Sequence, residues 1–220
     1  MKRNKNSRIA VIGLGRFGSS LAKAMARQCD VLAIDSDIQR VNAISDDVHL
    51  ARCLDARNLE ALSAVISPAF GTVVVSIARE LEASILCTLH LKHIGVTNIM
   101  AKAHNDDHAE ILRAVGATSI VSPEQEHAER VAMRLLHPNL LDYLPVSRDY
   151  RVTEVTAPAR FYDNTLVQLN VRQSFGVFIM AVKRGDSEFL FLPGPEFVVQ
   201  PNDVLVVIGK EDAIIGIAEA

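Results

Sequence analysis

The chain has 220 residues, 49% of them apolar, and a net charge of −3. That is ample for a packed core, and the scattered basic residues exclude electrostatic capture of nucleic acid or a polybasic membrane anchor. No run approaches the ~20 apolar residues of a membrane span, and the polar, basic stretch Met1 to Ser7 lacks the apolar core of a signal peptide after it. Cys29, Cys53 and Cys87 are far apart and form no Cys-x-x-Cys pair, so reduced thiols are expected rather than a disulfide framework or a zinc knuckle. His90 and His93 can share a helix edge, but no third metal ligand accompanies them.

In chain order, the first element is an apolar strand from Arg8 to Gly13. It leads into Gly13-Leu14-Gly15-Arg16-Phe17-Gly18, a Gly-x-Gly-x-x-Gly turn that opens a helix. Gly13 permits the tight turn, Gly15 lets backbone amides approach a pyrophosphate, and Gly18 allows the helix to pack closely on the strand. Phosphate is then expected on the positive end of that helix. A second strand, Asp30 to Asp35, ends in a carboxylate seventeen residues past Gly18, near the spacing at which an acid bonds ribose hydroxyls. The bland alternative for Asp35 is a cap on the next helix. An acid at this place disfavours a ribose 2′-phosphate, and with it an NADP-type ligand.

Further strands are expected at Val48 to Arg52, Thr72 to Ile77, Asn98 to Lys102 and Ser119 to Val121, with helices between them. This beat predicts an α/β fold, a Rossmann-like doubly wound parallel sheet over residues 8–136, with ligands at the carboxyl ends of the strands. Arg16 and Phe17 fill the variable positions of the turn, where the Arg16 guanidinium suits a ligand with terminal phosphate charge, or else is a solvated surface group. Lys102 ends the fifth strand at the same edge. Asp55, after the third strand, either accepts a hydrogen bond from an adenine amino group or caps the following helix. Glu124 follows Pro123 in what reads as the first turn of a helix running to Leu136.

Leu81 to Ile94 is apolar around most of its circumference, so one face needs a partner besides its own sheet, either the second lobe or, as expected here, another subunit. Residues 137–149 read as a connector, with Asn139 to Leu144 as a short turn of helix. From residue 150 to 220 the texture changes to a small α+β lobe, with strands expected at Val152 to Thr156, Phe175 to Lys183, Glu188 to Leu192 and Val204 to Gly209.

Hydride-transfer chemistry is missing. A dehydrogenase needs an acid/base set against the nicotinamide, yet four residues after Tyr143, Tyr150 and Tyr162 come Ser147, Glu154 and Leu166 instead of a lysine. There is no Gly-x-Ser-x-Gly elbow and no phosphate loop ending in Gly-Lys-Ser or Gly-Lys-Thr. The rival readings are a small NAD-dependent oxidoreductase and a redox-sensing transcription factor, the latter lacking a basic helix pair. The nucleotide is expected to act as a signal, and the chain is not expected to be an enzyme.

The sequence resembles the RCK-type regulatory subunits of bacterial potassium uptake systems, the KtrA and TrkA proteins, and KtrA-like members most of all. The resemblance runs from about Arg8 to Ile217. It is carried by Ala10 to Gly18, Val31 to Asp35, Ala83-Ser84-Ile85-Leu86, Ala114-Val115-Gly116-Ala117, Ile120 to Glu124, and Leu169-Asn170-Val171-Arg172. It implies a cytoplasmic gating subunit, in dimers assembled into an octameric ring, docked beneath a membrane channel subunit of KtrB or TrkH type. It implies ATP or ADP as ligand, with NAD(H) as the alternative. Gly13, Gly15 and Gly18 would hold phosphates, Asp35 the ribose and Asp55 the adenine; Arg16 would sense the γ-phosphate, and Glu124 would help bind a divalent cation such as Mg²⁺ or Ca²⁺.

Three positions depart from the family pattern. Ser76-Ile77-Ala78-Arg79 stands where Ala-Ile-Gly is usual, which puts the Ala78 methyl against the nucleotide and makes Arg79 either a phosphate contact or an obstruction. Asp37 replaces a common Asn near the ribose. Some relatives bind cyclic di-AMP around a motif like Leu166 to Arg172, in which Gln168 here replaces a frequent Asp; dimer packing is the other reading of that segment.

Overall fold

The computed structural model describes residues 8–77, 80–137, 140–147 and 149–218. The chain divides into two compact units that part between Glu124 and Gln125. Among the described residues no helix is long and apolar enough to cross a membrane.

The first unit alternates strand and helix: β1 (Arg8–Ile12), α1 (Arg16–Ala26), β2 (Asp30–Asp35), α2 (Ile38–Ile44), β3 (Leu50–Cys53), α3 (Leu59–Ser63), β4 (Thr72–Val75), α4 (Leu81–Ile94), β5 (Ile99–Lys102), α5 (Asp106–Val115) and β6 (Ser119–Val121), after which α6 (Pro123–Leu136) begins. All six strands are parallel, in the order β3-β2-β1-β4-β5-β6. The order reverses between β1 and β4, so a crevice opens at their carboxyl ends, where the glycine turn leaves β1.

Burial on both faces explains the unbroken apolar runs. Ala10, Ile12, Leu32, Ile34, Val73 and Val75 point to one face, with Leu62 of α3, Cys87 and Leu91 of α4 and Leu112 of α5. Val11, Val31, Ala33 and Val74 point to the other, with Ala22 of α1 and Val41 and Ile44 of α2. In α4 the buried residues are Ala83, Ser84, Cys87, Thr88 and Leu91, whereas Leu81 stays exposed and Ile85, Leu86 and Leu89 are half-buried. The broad apolar circumference of this helix is therefore only partly spent on its own unit.

The second unit contains β7 (Leu140–Pro145), β8 (Tyr150–Thr156), the short helices α7 (Leu166–Leu169) and α8 (Val171–Ser174), β9 (Phe178–Arg184), β10 (Leu190–Phe191), β11 (Asp203–Lys210) and α9 (Glu211–Ala218). Its sheet is antiparallel, in the order β10-β9-β11-β8-β7. Strict alternation in β11 sends Leu205 and Val207 into a core shared with Val155, Phe161, Ile179, Ile214 and Ile217. Asp203 is fully buried, and burial opposes its ionisation. Arg184 nonetheless donates to both its oxygens at 2.8 and 2.7 Å and the Gln200 amide donates at 2.8 Å, which together hold its carboxyl below the usual carboxylate range.

The short helical turn expected over residues 139–144 is corrected by the structure. Residue 139 lies outside the described residues, and residues 140–145 form strand β7, paired antiparallel with β8 from Leu140↔Val155 to Pro145↔Arg151, with a register shift between Leu140 and Asp142. A hairpin in which the Val146 and Ser147 amides both donate to the Tyr150 carbonyl brings the two strands together, and this pairing overrides the local helical preference of the leucines. The expected strand from Phe175 starts only at Phe178, because Val171–Ser174 continue as helix. The expected strand from Glu188 shrinks to Leu190–Phe191, and Leu192 turns out of it at φ +50°.

One buried polar pair ties α4 to α5. His108 is 1% exposed; its Nδ1 accepts from the His104 amide at 3.2 Å, so Nε2 carries the proton and donates to Ser84 Oγ at 2.8 Å. Ser84 Oγ in turn donates to the Leu81 carbonyl at 3.0 Å. Burial, and secondarily the neighbouring His104, pushes the His108 pKa below the usual histidine value. The folded chain thus refuses a proton that the unfolded chain accepts near pH 6.5. The contribution of neutral His108 is complete above that pH and is lost as pH falls through it. In denaturant titrations between pH 7.5 and 5, stability is expected to decline with a contribution of at most about 1.4 kcal/mol per pH unit from this group, and His108→Gln is expected to flatten the decline.

Candidate functional site

The site is built on the exit of β1. The Gly13 amide donates to the Ile34 carbonyl at 2.8 Å, and Gly13 turns the chain at φ +93°, a conformation side chains resist. A Cβ on Gly13 would also lie 2.8 Å from the Ser76 backbone. At Gly18 a Cβ would fall 1.9 Å from the Gly13 carbonyl oxygen, so the bare backbone is what lets α1 start against the end of β1. Gly15 differs from both. As N-cap of α1 it has an ordinary φ of −65°, and among the described residues a Cβ there would meet no atom within 4 Å. No side chain caps this helix and no acid lies in its first turn, so its leading amides face the crevice uncompensated.

Asp35 stands beside the turn. Its carboxylate, 6% exposed, accepts from the Leu14 amide at 2.6 Å and from the Asp37 amide at 2.9 Å, which joins the end of β2 to the glycine turn. The helix after β2 is capped by Asp37, whose side chain accepts from the Gln39 amide, so the capping alternative for Asp35 is excluded. Arg40 lies 3.5 Å from both carboxylates and balances part of their charge. The carboxylate of Asp35 keeps lone pairs beyond its two amide bonds, as a ribose hydroxyl would require.

Asp55 follows β3 by two residues. Its capping alternative is likewise corrected, because Asn58 caps α3 by accepting from the Ala61 amide. Asp55 instead accepts from the Arg57 amide at 2.9 Å and from its guanidinium at 2.7 to 3.0 Å, and that bond, foremost, lowers its pKa. The pair is half-exposed, so water screens it and leaves the carboxylate exchangeable. The Arg57 carbonyl accepts from His90 Nε2 of α4 at 3.0 Å, which ties this loop to that helix.

On the other side of the turn, Lys102, Phe17 and Glu124 come together. Lys102 Nζ donates to Glu124 Oε1 at 2.5 Å and lies 5.8 Å from the centroid of the Phe17 ring. The Lys102 hydrogen bond is the main cause of a lowered Glu124 pKa. Arg16 is exposed in the first turn of α1. Ala78 and Arg79 lie outside the described residues. Among the described residues no group of three or more histidine, cysteine, aspartate or glutamate side chains converges as a metal site. Among those residues Glu124 is thus the single acid at this end of the crevice, paired with Lys102. Sequence reasoning passed over Ser76, which packs on both Gly13 and Gly18, and Arg40 and Arg57, which neutralise the cleft acids; the spacings Asp35/Arg40 and Asp55/Arg57 were the available signals.

A TrkA-N domain model matches residues 9–123 and a TrkA-C domain model residues 152–220. Ktr system potassium uptake protein C of Bacillus subtilis (strain 168) is 39% identical over 202 residues, 91% of each chain. The chain belongs to the TrkA-N/TrkA-C (RCK) family of Ktr potassium uptake proteins. Another Ktr-family member, Ktr system potassium uptake protein A of the same organism, is 34% identical over 97% of this chain and 96% of its own. Among solved structures, the GsuK channel bound to NAD shares the fold with a TM-score of 0.63 at 17% identity, over 99% of this chain and 40% of that one. The curated Ktr relatives carry the names of uptake proteins, not of enzymes.

The three glycines of this Ktr-family turn should respond differently to a methyl group. Gly18→Ala forces a backbone clash and is expected to destabilise the chain by about 3 kcal/mol or more, whereas Gly15→Ala is expected to stay within about 1 kcal/mol of the parent. Urea titrations of the two variants check the contrast.

Proposed function

We propose that this chain is the nucleotide-sensing regulatory subunit of a potassium uptake system, taking ATP or ADP in the crevice of its first unit and controlling flux through a separate membrane subunit of KtrB or TrkH type. The observation that carries the nucleotide reading is Gly15. Gly13 and Gly18 are required by the fold itself, but neither the packing of the described residues nor φ asks for glycine at position 15. A ligand backbone lying against the uncapped amides of α1 does ask for it. Family membership supports the potassium reading.

In this reading the pyrophosphate rests on the α1 amides, Asp35 binds ribose hydroxyls, and Asp55 exchanges Arg57 for the adenine amino group. Asp37 and Arg40 set the charge of the ribose edge. Arg16, exposed on the first turn, reaches the terminal phosphate. Glu124 stands at the same end of the crevice, where with phosphate oxygens it would help hold a divalent cation such as Mg²⁺ or Ca²⁺. NAD(H) is the second candidate ligand, favoured by the same turn and by the ribose-binding acid. The half-buried face of α4 is the surface on which a second copy is expected, as a ring of subunits requires. Cyclic di-AMP at the α7–α8 segment is a separate possibility for the second unit, where Gln168 is engaged in a capping box with Thr165.

Switching requires differential contact, because a ligand that binds two arrangements equally shifts neither. Arg16→Ala is expected to weaken ATP about tenfold or more, the worth of one charge-assisted hydrogen bond, and to weaken ADP much less. Equal losses in calorimetric titrations would remove Arg16 from the sensing role. A thermal-shift comparison of ATP, ADP, NADH and cyclic di-AMP ranks the ligands, and failure of all four to raise the melting temperature would overturn the nucleotide reading.

A further inference from the structure

One imidazole holds the turn between β5 and α5. At the start of this turn the Ala103 amide donates to the Val121 carbonyl at 3.0 Å, and at its end Asn105 caps α5 by accepting from the His108 amide at 2.9 Å. Between these two fixed points the His104 amide has Nδ1 of buried His108 as its acceptor, and Nε2 of the same ring donates to Ser84 Oγ of α4. The turn, α5 and α4 thus converge on one side chain. Only a neutral ring fits there. An imidazolium carries a proton on both nitrogens, so its Nδ1–H would point at the N–H of His104, donor against donor, with a charge enclosed away from water.

Among the described residues no neighbour compensates an added positive charge. Ser84 is uncharged, and Cys87 of the same helix is held as a neutral thiol by burial. Glu80 and Glu82 at the start of α4 and Asp106, Asp107 and Glu110 of α5 are exposed to water. His104 is the ionisable group whose charge acts on the ring, and it opposes a second cation. We propose that His108 is a proton-operated latch on the α4–α5 pair: the neutral ring holds the His104 turn and Ser84 together, and a protonated ring releases the turn and loosens α4 from α5 while the parallel sheet stays folded. His104 is itself exposed, so turning this one residue outward brings water to the ring. The latch needs no ligand and stands apart from the nucleotide reading. It acts on the helix that carries exposed Leu81 and half-buried Ile85, Leu86 and Leu89, so acid alters the support of an apolar surface.

The test is hydrogen exchange of the full chain at pH 7.5 and 5.5, followed by mass spectrometry and read as protection factors so that the intrinsic pH dependence of exchange cancels. Parent, His108→Gln and His104→Gln are compared. Once released, the ring titrates at the ordinary histidine value of 6.5, so opening is expected to grow by up to about tenfold over this range in peptides from residues 81–91 and 103–112, with residues 8–35 unchanged. His108→Gln offers an acceptor and a donor but takes up no proton, and is expected to remove the response. His104→Gln keeps the backbone amide and is expected to retain it. A parent without the response, a loss of protection spread equally over residues 8–35, a response that survives His108→Gln, or one that vanishes in His104→Gln overturns the latch. Should His108→Gln fail to fold, the assigned ring resonance of His108 in the parent decides: titration in step with the loss of protection supports the latch, and a ring that stays neutral while protection falls overturns it.

Discussion

Everything at the crevice depends on how closely α1 approaches the end of β1. The Gly18 Cα stands where any side-chain atom would overlap the Gly13 carbonyl, and Gly13 itself has no room for one against Ser76. This double absence of side chains places the first turn of α1 directly over the switch point of the sheet, with its amides aimed outward. A helix set back by one methyl group would carry the same dipole, but neither the Leu14 amide nor the crevice would lie where the end of β2 can meet it. Asp35 then locks the arrangement, because its carboxylate accepts from Leu14 across the gap and from Asp37 in its own loop.

Around this rigid centre the charges are arranged as partially exposed pairs. Arg40 spans Asp35 and Asp37, Arg57 folds onto Asp55, and Lys102 meets Glu124. Each pair has at least one member in contact with water, so each is weak as a source of stability and inexpensive to rearrange. In the Arg184–Asp203 pair of the second unit the guanidinium is likewise partly in water, while the carboxylate is enclosed. Asp203 is wholly enclosed and held by two guanidinium bonds and an amide, and it pins β9, β11 and the loop before β11 together.

Much of the first unit was legible in the sequence, because parallel strands buried on both faces must be continuous apolar runs and the glycine turn must follow the first of them. The strand ends were less legible. Val75 closes β4 two residues before the apolar run stops, because Ser76 has to face the two glycines. Residues 140–145 were misread because leucine favours helix, and only pairing with β8 decides otherwise. Near the crevice the acids stand out in the sequence and the groups that pair with them do not. A carboxylate after a strand is a visible signal, whereas Arg40, Arg57 and the lysine-glutamate pairing depend on how loops fold back. The acids Asp35 and Asp55 were each given helix capping as their alternative, and in both places a residue two or three positions further on does the capping.

Helix α4 connects the rim of the crevice to the surface of the first unit. His90 joins this helix to the carbonyl of Arg57 in the loop that carries Asp55, and Ser84 joins it to His108 of α5. The loop of Asp55 cannot shift far without either moving α4 or giving up the His90 bond. At the same time, Leu81, Ile85, Leu86 and Leu89 leave much apolar surface of α4 uncovered within the chain. A helix held at one end by a polar network and presenting an apolar face is suited to two discrete packings rather than continuous deformation, since packed apolar surfaces resist intermediate positions. The helix with the open apolar face is thus also the one hydrogen-bonded to the loop that carries Asp55.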